Sequence, residues 1–235
     1  MKILLLVTCM ALSPLLHSQN FTPSSFQASY SSTLSVNDLG GGQAVFNVKS
    51  ENTGRSLKYT EILGSPYLDK KFRDATVAKD YEKTVIRYNS YQDEIEFQKD
   101  GEPLVLPKEE KFYRIEFSSP KETMVFLDTR DDLKGYFFEL LNGKVSLYKK
   151  RKTKFIDAVP ADNSYASDRA ASFKLLEPIF YIKTETGYLK KPKNQKEIIA
   201  HFPDKKETLN TFFKENKIKF DKEEDLKKLV TFLNQ

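Results

Sequence analysis

Cysteine is all but missing from this chain: among 235 residues only Cys9 carries a thiol. Cys9 lies inside a leader. Residues 1–18 combine Lys2, an apolar run over 3–12 and a small-residue exit at Ser18, which is the layout of a secretory signal peptide and too short for a spanning helix. Cleavage is expected before Gln19, with the next bond as the alternative. Leu6-Val7-Thr8-Cys9 loosely imitates a lipidation box, but Thr8 is a poor residue ahead of the cysteine and little apolar length precedes it. The exported chain is therefore expected to carry no disulfide despite an oxidising route, so its stability must come from packing.

Histidine is nearly as scarce. Of the two present, His17 leaves with the leader and His201 remains. Intrachain zinc sites built on histidine or cysteine are thereby excluded, and any histidine base must be His201. No serine sits in a Gly-x-Ser-x-Gly elbow to serve it. No metal and no cofactor is expected. The sequence also lacks a low-complexity run, an internal repeat and, after the leader, an apolar stretch long enough to span a membrane.

What charge there is falls unevenly. Losing the leader removes Lys2 and no acid, so 38 basic residues become 37 against 33 acidic ones. Residues 144–154 hold six basic residues and no acid, 183–235 hold 13 basic against nine acidic, and the rest is net negative by six. Such asymmetry speaks to partners and not to fold.

The folding signal is alternation. Over 85–97, Ile86 and Tyr88 fall on one face of a strand and, after a turn at Asn89-Ser90, Ile95 and Phe97 continue that face while Glu94 and Glu96 take the other. That predicts a half-buried antiparallel hairpin with an apolar and a charged side. Further strands are expected over 46–48, 57–63, 75–78, 112–117, 124–127, 173–176, 179–183 and 188–190, with 103–107 as a short edge segment. Gly64-Ser65-Pro66 should break the second of these and let Tyr67 and Leu68 tuck back onto the sheet.

Asn142-Gly143 predicts a two-residue hairpin between 136–141 and 144–150, pairing Leu140 with Val145 and Phe138 with Leu147. Those four residues should face the core, while Phe137, Glu139, Ser146 and Tyr148 form a mixed face. Residues 157–171 read as an exposed loop.

After Pro192 the apolar period lengthens to about 3.6. Asn194 with Glu197, Asp204 with Glu207 and Asp221 with Glu224 have capping-box spacing, predicting three short helices. Ile198, Ile199 and Phe202, then Leu209, Phe212 and Phe213, then Leu226, Leu229, Val230 and Leu233 give each helix one apolar stripe. A bundle this small is marginal alone, so it should dock on the sheet.

Two clusters are candidate binding sites. At the hairpin tip, Tyr88, Tyr91, Asp93 and Glu94 suit a carbohydrate or peptide contact surface, tyrosine faces stacking and carboxylates accepting hydrogen bonds; the competing reading is ordinary strand structure with polar edges. Lys149, Lys150, Arg151, Lys152 and Lys154 form the densest positive charge and suit an anionic envelope surface; the competing reading is the solvated end of a long edge strand. Nucleic acid is not the expected partner of an exported chain without interleaved exposed aromatics. Asp128, Asp131 and Asp132 match no calcium loop and enclose Arg130, so they read as a solvated turn.

The leader ending in Ser-Gln, Gly64-Ser65-Pro66-Tyr67-Leu68, the element from Arg87 to Glu96, and the tail over 221–234 together resemble exported proteins of unknown function from Bacteroidota. The resemblance covers most of the exported chain and implies a compartment and a cell type, without catalytic residues to carry over. The expected architecture is α+β, mainly β: a leader over 1–18, a flexible segment over 19–44, an antiparallel meander forming a roll or sandwich over 45–192, and three helices over 193–235 packed on it. The expected function is a non-enzymatic binding or structural component of the cell envelope, with a protein or an anionic envelope surface as partner. Two rivals stand beside it: a glycan-acting hydrolase using Asp93 and Glu96 as paired carboxylates, and a membrane-surface protein using the basic run.

Overall fold

The computed structural model describes residues 34–35, 39–161, 163 and 165–235; the leader expected over 1–18 lies outside them. The described strands are β1 (Gly42–Gln43), β2 (Asn47–Lys49), β3 (Ser56–Lys58), β4 (Arg73–Thr76), β5 (Thr84–Asn89), β6 (Glu94–Lys99), β7 (Glu102–Val105) and β8 (Arg114–Phe117). They continue as β9 (Glu122–Leu127), β10 (Gly135–Leu141), β11 (Ser146–Lys150), β12 (Thr153–Ile156), β13 (Ser172–Leu175), β14 (Ile179–Thr184) and β15 (Gly187–Lys190). Three helices follow: α1 (Gln195–His201), α2 (Lys206–Glu215) and α3 (Glu223–Leu233). The chain is mainly β, and its described residues belong to one compact unit.

Eleven strands make one antiparallel sheet in the order β1-β7-β6-β5-β4-β8-β9-β10-β11-β14-β15. Were it flat, β5 and β10, four steps apart, would lie roughly 19 Å from each other at the usual strand spacing. Instead the rings of Tyr88 and Phe138 meet edge to face at 6.2 Å between centroids. The sheet therefore curls until one face meets itself, without closing into a barrel. Ile86, Tyr88, Ile95 and Phe97 share this core with Ile115, Phe117, Met124, Tyr136 and Phe138. The central hairpin pairs as its alternation predicts, Ile86 opposite Phe97 and Tyr88 opposite Ile95. Leu39 is buried in the same core and β1 pairs with β7, so the sheet starts inside the stretch expected to be flexible. For the same reason the 103–107 segment is no edge: β7 lies between β6 and β1.

A second core lies where the helices cover β11, β14 and β15. Val145, Leu147, Phe180, Ile182 and Leu189 from the sheet meet Ile198, Leu209, Phe212, Leu226, Leu229 and Val230 from the helices. The apolar stripes thus dock as expected. On the opposite face Phe137 and Tyr148 are buried against Val125, Leu133 and Tyr181, so that side is covered away from the helices.

The loop over 142–145 departs from its sequence. Neither Asn142 nor Gly143 takes positive φ, and the register runs Phe138 to Lys149, Glu139 to Tyr148 and Leu141 to Leu147, with a bulge after Glu139. The expected Leu140–Val145 and Phe138–Leu147 pairs do not form. The physical reason sits at the far end of the chain. Asn234, capping α3, accepts from the Val145 N–H at 2.8 Å and donates to the Val145 carbonyl at 2.8 Å, taking the backbone groups a two-residue hairpin would have used.

Three other local expectations change. Only α1 has its predicted cap, Asn194 accepting from the Glu197 N–H at 3.0 Å; α2 and α3 start at lysine caps. For α2 the chain enters through a 3-10 turn over Pro203–Lys205 that runs straight on, leaving no open terminus for Asp204. The strand expected over 57–63 ends at Lys58, where Glu61 turns back to accept from the Lys58 N–H at 2.7 Å and closes a 3-10 turn. Finally, β12 forms where the sequence reads as the end of a charge run, and it pairs with β13, which lies where the strand over 173–176 is expected.

Candidate functional site

The tip of the central hairpin is built inward. Tyr88 is buried, and its hydroxyl donates to Asp93 Oδ1 at 2.6 Å. Asp93, at φ 58°, also accepts from Lys150 Nζ at 2.7 Å and from the Tyr136 N–H at 3.2 Å. Tyr91 packs its ring on Phe173 at 5.2 Å and joins a cluster around Tyr59. Glu94 is half-buried, and that burial raises its carboxyl above the usual range. Tyrosine faces expected at a contact surface are thus spent on packing.

The basic run also comes apart, because successive side chains of a strand point to opposite faces. Lys149 reaches Glu223 of α3 at 2.8 Å. Lys150 points the other way and is 3 % exposed, with Asp93 and the Tyr136 carbonyl as partners. Arg151 is half-buried, Thr153 is buried against the Ser90 hydroxyl at 2.7 Å, and Lys152 and Lys154 are exposed. Nor is β11 an edge strand; it lies between β10 and β14. The five basic residues do not form one cationic face.

What the structure does open is a groove of about 810 Å³ between the β2–β3 hairpin and the returning chain over 62–67. Its floor follows from the break at Gly64-Ser65-Pro66. Gly64, at φ +86°, passes so close to Phe173 that an added Cβ would lie 2.5 Å from that residue's carbonyl oxygen. The Pro66 carbonyl then accepts from the Tyr91 N–H at 3.1 Å, and Tyr67 bridges to Asn89 across the edge of the central hairpin. Tyr67 and Leu68 tuck back as predicted.

Tyr67 roofs the polar side of that hairpin. Glu96, expected on a charged face, is buried; it pairs with Arg87 at 2.6 Å and accepts from Asn89 Nδ2 at 3.1 Å. The Arg87 guanidinium lies 3.8 Å from the Tyr67 ring centroid and donates to its hydroxyl at 2.8 Å. Burial, with Glu96 nearby, pushes the Tyr67 phenol well above its ordinary pKa, so it stays neutral. Tyr59 lines the groove too, held edge-on by Phe46, Tyr67, Tyr91 and Phe173.

Among the described residues, the groove's lining carries three cations, Lys58, Lys70 and Arg87, and no carboxylate. Arg87 is committed to Glu96, whereas the exposed ammonium groups of Lys58 and Lys70 form no ion pair among the described residues. Of its lining residues Leu63 is 62 % exposed and Phe46 36 %. Large apolar side chains gathered at one opening are unusual for a surface without a partner. The sequence reading passed over this site because its residues come from segments read as strand, loop and breaker; the cue available was Gly64-Ser65-Pro66-Tyr67-Leu68.

The other candidates resolve into structure. Asp93 and Glu96 each face a cation of their own, and neither lines the groove. Asp131 accepts from Thr129, the Leu133 N–H, Tyr181 and Lys190; burial would raise its carboxyl, but these donors outweigh it and hold the group well below its usual range. No cluster of metal-binding side chains occurs among the described residues. His201 is exposed at the end of α1, beside an opening of about 560 Å³ next to the chain's last residues. No helix among the described residues is long and apolar enough to cross a membrane. Compared with protein-family models, with curated proteins and with solved structures, the chain gives no match.

Proposed function

We propose that this chain is an exported envelope protein that binds a partner through the groove between the β2–β3 hairpin and Tyr67 and does not act chemically on it. The observation that carries this reading is the lining among the described residues: two ammonium groups without an ion pair, no carboxylate, and the exposed apolar side chains of Leu63 and Phe46. The resemblance to exported proteins of Bacteroidota supports the compartment. A glycan hydrolase would need two carboxylates facing one cavity, roughly 5–10 Å apart, and the described residues of the groove's lining include none. A membrane-surface role would need the basic run on one face, and its side chains diverge.

Site-specific photocrosslinking in the native cell tests this. With the crosslinker at Leu63, fractionation should find the chain outside the cytoplasm and in covalent adducts, while the same group at exposed Lys152 gives none. Retention in the cytoplasm, or adducts from position 152 and none from 63, would overturn the reading.

A further inference from the structure

The lining residues also bear on what kind of partner the groove takes, an inference that rests on the binding reading above. Sugars are held mainly by flat aromatic faces and by carboxylates or amides that grip hydroxyls. Here the tyrosine faces are largely used up. Tyr59 is 9 % exposed and boxed in by four rings, and one face of Tyr67 lies under the Arg87 guanidinium. The most exposed apolar side chain of the lining is instead aliphatic, Leu63 at 62 %, with Phe46 at 36 % beside it. Aliphatic surface rewards aliphatic surface, and it penalises a hydroxyl-covered ligand by stripping water from hydroxyls without replacing their hydrogen bonds.

Charge complementarity fixes the rest. Lys58 and Lys70 both line the groove, one at the end of β3 and one beyond Tyr67 in the chain, and neither has an acid within ion-pair reach among the described residues. Glu61, the nearest acid in sequence to Lys58, is turned to Arg55 and to the Lys58 backbone. Asp69, next to Lys70, accepts from the Lys71 N–H. Two ammonium groups without an ion pair among the described residues, in one lining with the exposed Leu63, complement carboxylates alternating with apolar side chains, which is the pattern of an extended acidic peptide.

We infer that the groove docks an extended segment of a protein partner, one that presents acidic side chains to Lys58 and Lys70 and an aliphatic side chain to Leu63. Panning the full chain against a displayed library of random peptides tests this, because no partner sequence need be assumed. The recovered peptides should combine Asp or Glu with Leu, Ile or Val. Their affinity should fall at least about tenfold for a Lys58→Glu/Lys70→Glu double variant, and weaken with added salt. Leu63→Asp should lose them as well. All three positions are exposed and form no ion pair among the described residues, so the variants should melt with the parent chain, which separates lost binding from lost folding.

Recovered peptides that are neutral or basic, or that bind the double variant equally well, would overturn the inference. So would saturable binding of oligogalacturonate, used as an acidic glycan probe, that the double variant abolishes while no peptide is selected. In that case the groove remains a binding site and only its ligand class changes. If position 63 gives no crosslink in the cell, the binding reading itself falls.

Discussion

Lys150 loses its hydration on folding and receives in return Asp93 Oδ1 at 2.7 Å and the Tyr136 carbonyl at 2.9 Å. Burial pulls the ammonium below the ordinary lysine pKa, and Asp93 pulls it back up. The pair joins the turn after β5 to the end of β11, strands five steps apart in the sheet, so it closes the seam of the curl. Gly135 makes room for it: at φ +146°, a Cβ there would collide with the Asp93 carboxylate. The two partners are not equivalent. Asp93→Ala leaves a buried charge unpaired and should cost about 3–5 kcal/mol. Lys150→Met should cost distinctly less, because the Asp93 side chain is 21 % exposed and keeps its bonds from Tyr88 and the Tyr136 N–H. Urea unfolding would show the difference as unequal midpoint shifts; equal or negligible shifts would remove Asp93 from this role. The sequence marks both residues as charged and near turns. Nothing in it says that residues 93 and 150 meet, since that depends on how far the sheet curls.

Elements show where local rules hold and where distant contacts override them. The central hairpin obeys its alternation because both of its strands are covered on the Ile86 side by their own sheet. Asn142-Gly143 has stronger turn chemistry, yet the hairpin around it slips, because Asn234 competes for Val145 from 89 residues away. A single-sequence reading weighs turn propensity but cannot see that competitor. The apolar stripes of all three helices were legible for the opposite reason: a helix shows its buried face in its own spacing. Asn234→Ala would leave the Val145 N–H and carbonyl without partners in a partly buried place, at a cost of about 1–3 kcal/mol. Amide exchange at Val145 should quicken in step with the loss of stability. An unchanged exchange rate would mean that the loop over 142–145 is set by something other than Asn234.

At the scale of the whole molecule, fold and site were legible to different degrees, and the groove shows why. A mainly β chain with docked helices follows from periodicity, which each segment carries within itself. The groove is assembled from Phe46, Lys58, Leu63 and Tyr67, whose proximity depends on the chain folding back at Pro66 onto the central hairpin. The division expected at residue 193 is likewise a change of period and not a seam in the core. Val145, Leu147, Phe180, Ile182 and Leu189 have the helices as their cover, and Leu140 packs against both this core and that of the curled sheet. Burial of an apolar side chain is worth about 1.5–3 kcal/mol, so uncovering five of them approaches a typical domain's entire stability of about 5–15 kcal/mol. A chain ending at Lys193 should therefore be unable to fold as a separate β domain. For the full chain, helix loss by circular dichroism and loss of tyrosine packing by fluorescence should coincide in one transition. A truncated chain that unfolds cooperatively near the parent's midpoint would show that the helices are an appendage; loss of the transition would show that sheet and helices share one core.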